Sequence, residues 1–324
     1  MLRFLIGCVA ALMLAAPAAA ADGFPSRPIV MLVAVAPGGT LDTLARQIAS
    51  GLTTELGQSV VVENTTGAGG LIGYQRLMKS EPDGYTLMFS NMSLAIIPLL
   101  YPTAHVDPVR DLSPIGMVAT VPMVLSVSNR SGLTSLPEML KRMRSGGPKL
   151  NFGSGGPGTT AHLGEGLFLH ISKTQGELIQ YRGSGPAIAD LMAGTIDAVI
   201  DQTVTMLPLH KDKRIRAIAV SSPQRLPQLP DVPTFAEGGL PAFDLAIWNG
   251  VVAPRNTPKP VVDRIAAALS KVLDSPQYKS RIDQLAAIIP DAAQRGPAPM
   301  SAMLAKDVKE VASLAKQIGL TPQQ

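Results

Sequence analysis

Two glycine-rich stretches hold the residues best suited to chemistry: APGGTLD, residues 36–42, and GSGGPGTT, residues 153–160. Each follows a run suited to a β-strand and leads into a helical pattern. A strand-to-helix turn of this kind aims backbone N–H groups at whatever lies before the helix, and the helix dipole favours negative charge there. In the first loop Gly38 and Gly39 permit φ > 0 and close approach of a ligand, and Pro37 precedes them. Thr40 is placed to cap the helix. Asp42 suits the first turn, where it either orients water or a ligand amine or only stabilises the helix start. In the second loop Ser154, Thr159 and Thr160 offer hydroxyls beside free N–H groups, with Gly158 between them. Neither loop carries Arg or Lys, so a bound charge is countered by N–H groups, hydroxyls, the dipole and ordered water. That arrangement suits a modest, reversible grip on a carboxylate.

Other chemistries fit less well. The second loop satisfies GxGxxG, but the next strand, ELIQYRG, ends in Tyr181 and Arg182, where a dinucleotide site wants an acidic residue. No Gly-Lys dipeptide occurs, so a phosphate-binding loop fails as well. Ser154, His162 and Asp201 form a hydrolase triad by residue type alone, and GxSxG is absent. His162, just after the second loop, reads as a hydrogen-bond donor or a structural residue. It and His105, His170 and His210 lack metal-site spacing. We therefore expect no catalytic residue, no metal and no cofactor. Asp201 ends a strand, IDAVI, and suits either ligand contact or a hinge hydrogen bond. Ser90 and Asn91, after YTLMF, hold the corresponding strand end earlier in the chain. Arg182 either meets a distal acidic group or is a solvated surface residue.

The elements that must position these groups are legible in the hydrophobic pattern. IVMLVAV is a continuous apolar run, as for a parallel strand buried on both faces. Leu41, Leu44, Ala45, Ile48, Leu52 and Leu56 follow at helical spacing. Strand and helix patterns alternate through SVVVEN, GYQRLMKS and YTLMFS, and again from KLNFG to IRAIAVS, which implies two α/β lobes. Ligands of open α/β sheets bind beyond the C-terminal strand ends, so facing lobes put both loops on one cleft. ATVPM and SSPQRLPQLPDVP are candidate crossings, and two helical stripes, from Val262 and from Met303, close the chain.

The 324 residues are 46% hydrophobic and 16% charged, which describes a well-cored protein. Residues 1–21 combine Arg3, an apolar run and a small-residue end near Ala20 or Ala21, the layout of a cleaved secretory signal. Cleavage removes Arg3 and takes the net charge from +4 to +3; it also removes Cys8, the single cysteine, so the mature chain depends on its apolar core. The basic residues are scattered and lack interleaved aromatics, which argues against nucleic acid.

PSRPI, APGGTLDTLAR, LGQSVVVENTTGAGGLIG, PDGYTLMFS, NFGSGGPGTTAHLGE, QYRGSGPAIADLMAG, RAIAVSSPQRLPQLPDVPTFAEGG and VVAPRNTPKPVVDRI occur in that order. Together they resemble the Bug family, the substrate-binding proteins of tripartite tricarboxylate transporters. The resemblance implies a two-lobed α/β periplasmic binding protein of type II, with a central cleft and two inter-lobe crossings. It places lobe 1 at residues 22–122, lobe 2 at 123–224 and a C-terminal return to lobe 1 at 225–324. It further implies a monomer that captures a small carboxylate and delivers it to integral-membrane subunits. Pro37, Gly38, Gly39, Thr40, Asp42, Ser90, Ser154, Gly158, Thr159, Thr160, His162, Tyr181 and Asp201 are the expected ligand-binding residues. An exported serine hydrolase and a signalling receptor without a transporter are the alternatives.

Overall fold

The structure, a computed structural model, describes residues 23–323; the expected signal segment lies outside them. The first lobe opens with β1 (Ile29–Val33), α1 (Thr40–Leu56), β2 (Val60–Asn64), α2 (Leu71–Met78), β3 (Thr86–Asn91), α3 (Ser93–Leu100) and the short α4 (Pro108–Asp111). β1 is apolar throughout because both its faces are covered, and it pairs in parallel with β2 and β3. α1 turns Leu44, Ala45, Ile48, Leu52 and Leu56 inward. Gly57 stops it in the left-handed conformation, where its N–H returns to the Thr53 carbonyl.

β4 (Leu112–Val127) then runs for 16 residues and belongs to both sheets. Residues 112–122 pair with β9 (Ala246–Pro254), and residues 123–127 pair with strands of the second lobe. The change of partner falls between Pro122 and Met123, within the expected ATVPM crossing. The second lobe contains α5 (Leu136–Arg144), β5 (Leu150–Ser154), α6 (Thr160–Ser172), β6 (Gly176–Gln180), α7 (Ser184–Ala193), β7 (Ala198–Gln202), α8 (Thr203–Lys211) and β8 (Arg216–Val220). After β9 the chain closes with α9 (Lys259–Asp274), α10 (Pro276–Gln284) and α11 (Pro297–Gln317).

The two lobes share one strand plan. The first sheet runs β2-β1-β3-β9-β4, and the second runs β6-β5-β7-β4-β8. In each, the fourth strand arrives from the other lobe and pairs antiparallel to its neighbours. This is the two-lobed binding-protein architecture with two crossings.

Residues 221–245 stay with the second lobe. Thr234 bridges Val220, Leu229 and Val232 join the cluster around β7 and β8, and Phe235 packs between Phe168 and Phe243. SSPQRLPQLPDVP is therefore not a crossing. Its prolines shape a loop over the second sheet, and we place the return at β9, near residue 246, instead of at 225. α11 touches both lobes. Met300 and Leu304 join the first-lobe core, while Val311, Leu314 and Ile318 pack on the second.

α1 and α9 pack closely because Gly51 has no side chain: a Cβ there would lie 2.5 Å from Val272 Cγ1. Overpacking of this kind costs about 1–3 kcal/mol, so Gly51→Ala should lower the melting temperature. Adding Val272→Ala should restore part of the loss, despite the methyl groups it removes. A thermal melt of the single and double variants checks this, and strictly additive losses would contradict the close approach.

Candidate functional site

The cleft is built from strand ends and helix starts. Its inner cavity is lined by Gly39 and Thr40 at the start of α1, Gly69 and Gly70 before α2, and Ser93 at the start of α3. From the other lobe come Thr159 and Thr160 at the start of α6, Ser184 at the start of α7, and Asp201 and Gln202 before α8. Ser90 and Asn91, ending β3, complete the polar wall, and Met88, Leu94 and Ile97 supply apolar surface. Six helix N-termini thus converge on one space. The first N–H groups of a helix lack intrahelical partners, and each terminus adds the positive end of a dipole worth roughly half a charge; Asn91 and Thr159 already take the N–H groups of Ser93 and His162. No Lys, Arg or His lines the cavity.

The free volume inside is about 30 Å³. A water needs roughly 10–15 Å³ of such space, so the cavity admits a carboxyl-sized group and little more. An adjoining outer chamber of about 420 Å³ is lined by residues 66–70, Tyr101, residues 155–157, Tyr181 and Arg182.

Closely apposed backbone seals the two lobes. Ala36 N–H donates to the Arg182 carbonyl at 3.1 Å. A Cβ on Gly185 would lie 2.2 Å from the Pro37 carbonyl oxygen, and one on Gly69 would lie 2.0 Å from that of Pro157. Thr40 and Thr205 hydroxyls stand 3.4 Å apart across the interface.

Of the expected contacts, Gly39, Thr40, Ser90, Thr159, Thr160 and Asp201 line the inner cavity. The others stand behind it. Asp42 faces the loop: it accepts from Gly38 N–H at 3.1 Å and from Asn64 at 3.0 Å, and pairs with Arg46 at 2.9 Å. Burial opposes its charge, but these partners prevail and hold its pKa below the ordinary value. Pro37 lends its carbonyl to the inter-lobe contact with Gly185. Gly158, at φ +80°, packs on Leu100 of α3, and its N–H donates to His162 Nδ1 at 3.3 Å. Burial lowers the His162 pKa, keeping the ring neutral and able to accept. Tyr181 faces the outer chamber and donates to Asp190 at 2.5 Å.

Two expectations about the loops change. Thr40 does not cap α1: the cap position is Gly39, in extended conformation and without a side-chain bond. Thr40 is the first helical residue, and its hydroxyl faces the other lobe. Only Gly38 of the glycine pair has positive φ, at +89°. At the second loop Thr159 is the cap, accepting from His162 N–H and donating to the Gly156 carbonyl at 2.8 Å.

Beneath the second-lobe wall lies a buried acidic pair. Glu165 is fully buried, and burial drives its carboxyl well above the ordinary value, opposed by Ser154 and the Ile200 amide nearby. Ser154 Oγ is buried without a hydrogen-bond partner, so it forms no nucleophile–base pair with His162. Asp201 Oδ1 accepts from Gln202 N–H at 2.7 Å, while Oδ2 is buried and unpartnered. Burial raises Asp201 to about 6, opposed by Ser184, the Gln202 amide and Thr205.

Gly69, Gly70, Ser93, Ser184, Gln202 and Glu165 were missed as site residues. GAGG and the Gly-Ser-Gly opening α7 carry the same glycine-before-helix signal as the first two loops, and reading it at every strand-to-helix junction finds Gly69, Gly70 and Ser184, whereas Ser93 and Gln202 have no glycine before their helices. Glu165 sits within a helical pattern with no local sign of burial.

A family model described as tripartite tricarboxylate transporter family receptor matches residues 44–320. Among solved structures, the periplasmic binding protein BugD superposes with a TM-score of 0.88 at 32% identity, over 93% of this chain and all of that one. MatC from Rhodopseudomonas palustris, solved with bound malate, gives 0.84 at 30% identity, over 90% of this chain and 99% of that one. Rpa4515 of R. palustris, solved with adipate, gives 0.87 at 30% identity, over 93% and 100%. With its strand plan, its two crossings and a match over most of its length, this chain belongs to the family of tripartite tricarboxylate transporter receptors.

Proposed function

We propose that this protein is exported to the periplasm, captures a small organic carboxylate between its lobes as a monomer, and presents it to integral-membrane transporter subunits. The observation that carries this reading is the convergence of six helix N-termini on a cavity without a cation. Such a site offers oriented N–H donors to a carboxylate and holds it without the grip of an ion pair, which suits release. Malate and adipate in the two R. palustris structures are ligands of this class. The carboxyl head occupies the inner cavity and the rest of the molecule extends into the outer chamber, where Arg182 stands near a distal acidic group. The hydrolase reading lacks support, since His162 Nδ1 accepts from Gly158 N–H and makes no hydrogen bond to Ser154.

Capture follows from closure. The inter-lobe contacts at Ala36, Gly69 and Gly185 exist only with the lobes together, and a ligand bridging both walls favours that state by its differential affinity.

A panel of small mono- and dicarboxylates should contain at least one that raises the melting temperature of the mature chain. At about 100 times its dissociation constant a ligand adds roughly 2.7 kcal/mol, a shift of at most about 4–8 °C for a chain longer than 250 residues. The primary amide of the same compound should shift it much less, having no full charge for the dipoles to stabilise. Equal stabilisation by acid and amide throughout would refute the carboxylate reading.

Gly185→Ala separates closure from folding. Gly185 is the second residue of α7 and has no positive φ, so alanine fits its backbone and restricts the unfolded chain, a gain of roughly 0.4–1 kcal/mol. The variant should therefore melt no lower than the parent, yet bind the same acid at least tenfold more weakly by calorimetry, because its Cβ meets the Pro37 carbonyl only in the closed form. Parental affinity would show that the lobes need not approach this closely.

A further inference from the structure

The topology that gathers helix N-termini at the cleft gathers the opposite ends at the far pole of the second lobe. β5, β6, β7 and β8 begin there, β4 ends there, and α5 to α8 finish there. Residues 128–149, 173–177, 194–197 and 211–216 cover this pole. Short contacts join them. Asn129 Nδ2 donates to the Lys213 carbonyl at 2.9 Å, Arg142 to that of Ser131 at 3.0 Å, and Arg144 to that of Ser172 at 3.3 Å. Ser128 N–H donates to the Asp197 carbonyl at 2.9 Å.

Basic runs that lie far apart in the sequence, KRMR at 141–144 and KDKRIR at 211–216, thus share one surface. The residues of the pole include ten basic and four acidic side chains, a surplus of six on a chain of net charge +4. The remainder of the molecule is therefore net negative. All ten basic residues are exposed, and among the described residues Lys149 alone of them forms an ion pair, with Glu177 at 2.7 Å. Asp197 and Glu138 instead accept from the Asn151 and Thr134 N–H groups, each at 2.8 Å. Helix C-termini favour cations, but four of them amount to roughly two negative charges, so a clear positive excess remains. No Phe, Tyr or Trp occurs in the set, and Leu136, Met139, Leu140 and Ile215 are buried beneath it. A protein partner is anchored by aromatic and apolar side chains, which this surface does not offer. Exposed cations on flexible stems match a diffuse layer of headgroup charge.

We propose that the far pole of the second lobe is a docking surface for an anionic lipid bilayer. The protein adsorbs there reversibly and by charge alone, with its cleft at the other end of the strands and clear of the headgroups. The screening length is about 8 Å at physiological salt, so the attraction acts only near the surface and added salt releases it. Each Lys or Arg held at an anionic membrane is worth about a fivefold change in binding. Adsorption confines a loaded receptor to the plane of the membrane, where a search for membrane subunits runs in two dimensions. No cleft residue takes part, so this inference stands apart from the carboxylate reading.

The test is co-sedimentation of the mature chain with vesicles of phosphatidylethanolamine and phosphatidylglycerol, about 3:1, and with vesicles of phosphatidylcholine alone. At about 100 mM salt the protein should sediment with the anionic vesicles and not with the neutral ones, and about 500 mM salt should release it. Lys141→Glu, Lys211→Glu and Arg214→Glu together reverse three cations of the pole and should weaken this binding at least tenfold. Lys79→Glu, Arg264→Glu and Arg281→Glu together reverse three exposed cations of the first lobe, change the net charge equally, and should weaken it by less than about threefold. Should the pole variant fail to fold, the neutral Lys141→Gln, Lys211→Gln and Arg214→Gln set replaces it, with a smaller loss in the same direction. Absence of binding to the anionic vesicles, equal losses in the two sets of variants, or capture by polyglutamate but not by vesicles overturns the proposal.

Discussion

The cleft depends on one topological constraint: every helix that borders it begins there. A parallel strand ends with its carbonyl end at the cleft, and the next helix starts a few residues later with its N–H groups free. Because both lobes repeat the same strand plan, closing them brings N-termini together from two sides. The resulting positive potential requires no lysine or arginine, and none lines the cavity. This also accounts for the scarcity of charge in the loops. A fixed cation would strengthen the grip and slow release, whereas dipoles and hydroxyls act only over the last few ångströms.

Closing so tightly requires backbone without side chains at the meeting points. Gly69 and Gly185 each touch a carbonyl of the opposite lobe, and Gly183 lies against Ala36. The glycines thus serve two purposes. Gly38 adopts a positive φ that its loop needs, while Gly185 is helical and is required only because Pro37 comes so near. Residues behind the wall set the loops in place: Asp42 ties Gly38 to Asn64, and His162 ties Gly158 to the first turn of α6. They shape the site without facing it.

Much of this was legible in the sequence. The alternation of apolar strands with amphipathic helices gave the two α/β lobes, and glycine before a helix located both principal loops. What failed was information carried by tertiary contact. A proline-rich segment between two strand patterns reads as a crossing, but nothing local reveals that Leu229, Val232 and Phe235 bury against the second sheet. Thr40 reads as a cap by residue type, yet the chain turns one residue earlier because Gly39 takes the extended conformation. Glu165 is invisible for the same reason, since a carboxylate on a helix is ordinarily solvated and only the packing of β5 and β7 around it removes the water.

The elements that join the lobes limit how the cleft can open. β4 and β9 run side by side through the junction, with Pro122 opposite Ala246, so opening must twist a hydrogen-bonded strand pair instead of swinging on a loose linker. α11 adds a second restraint. Its first half is seated in the lobe 1 core, and Ile318 just beyond its end lies so close to Gly166 of α6 that a Cβ there would be 2.9 Å from Ile318 Cδ1. α3 belongs to lobe 1 but buries Ala95, Ile96 and Leu100 among lobe 2 residues. Separating the lobes at the cleft therefore exposes apolar surface on α3, which opposes opening at roughly 25 cal/mol per Å². A twist about the paired strands that keeps α11 seated is the motion these contacts permit. Asn249 on β9 donates to Gln202 at 2.8 Å, so that twist is tied directly to the residue beside Asp201 on the cavity wall.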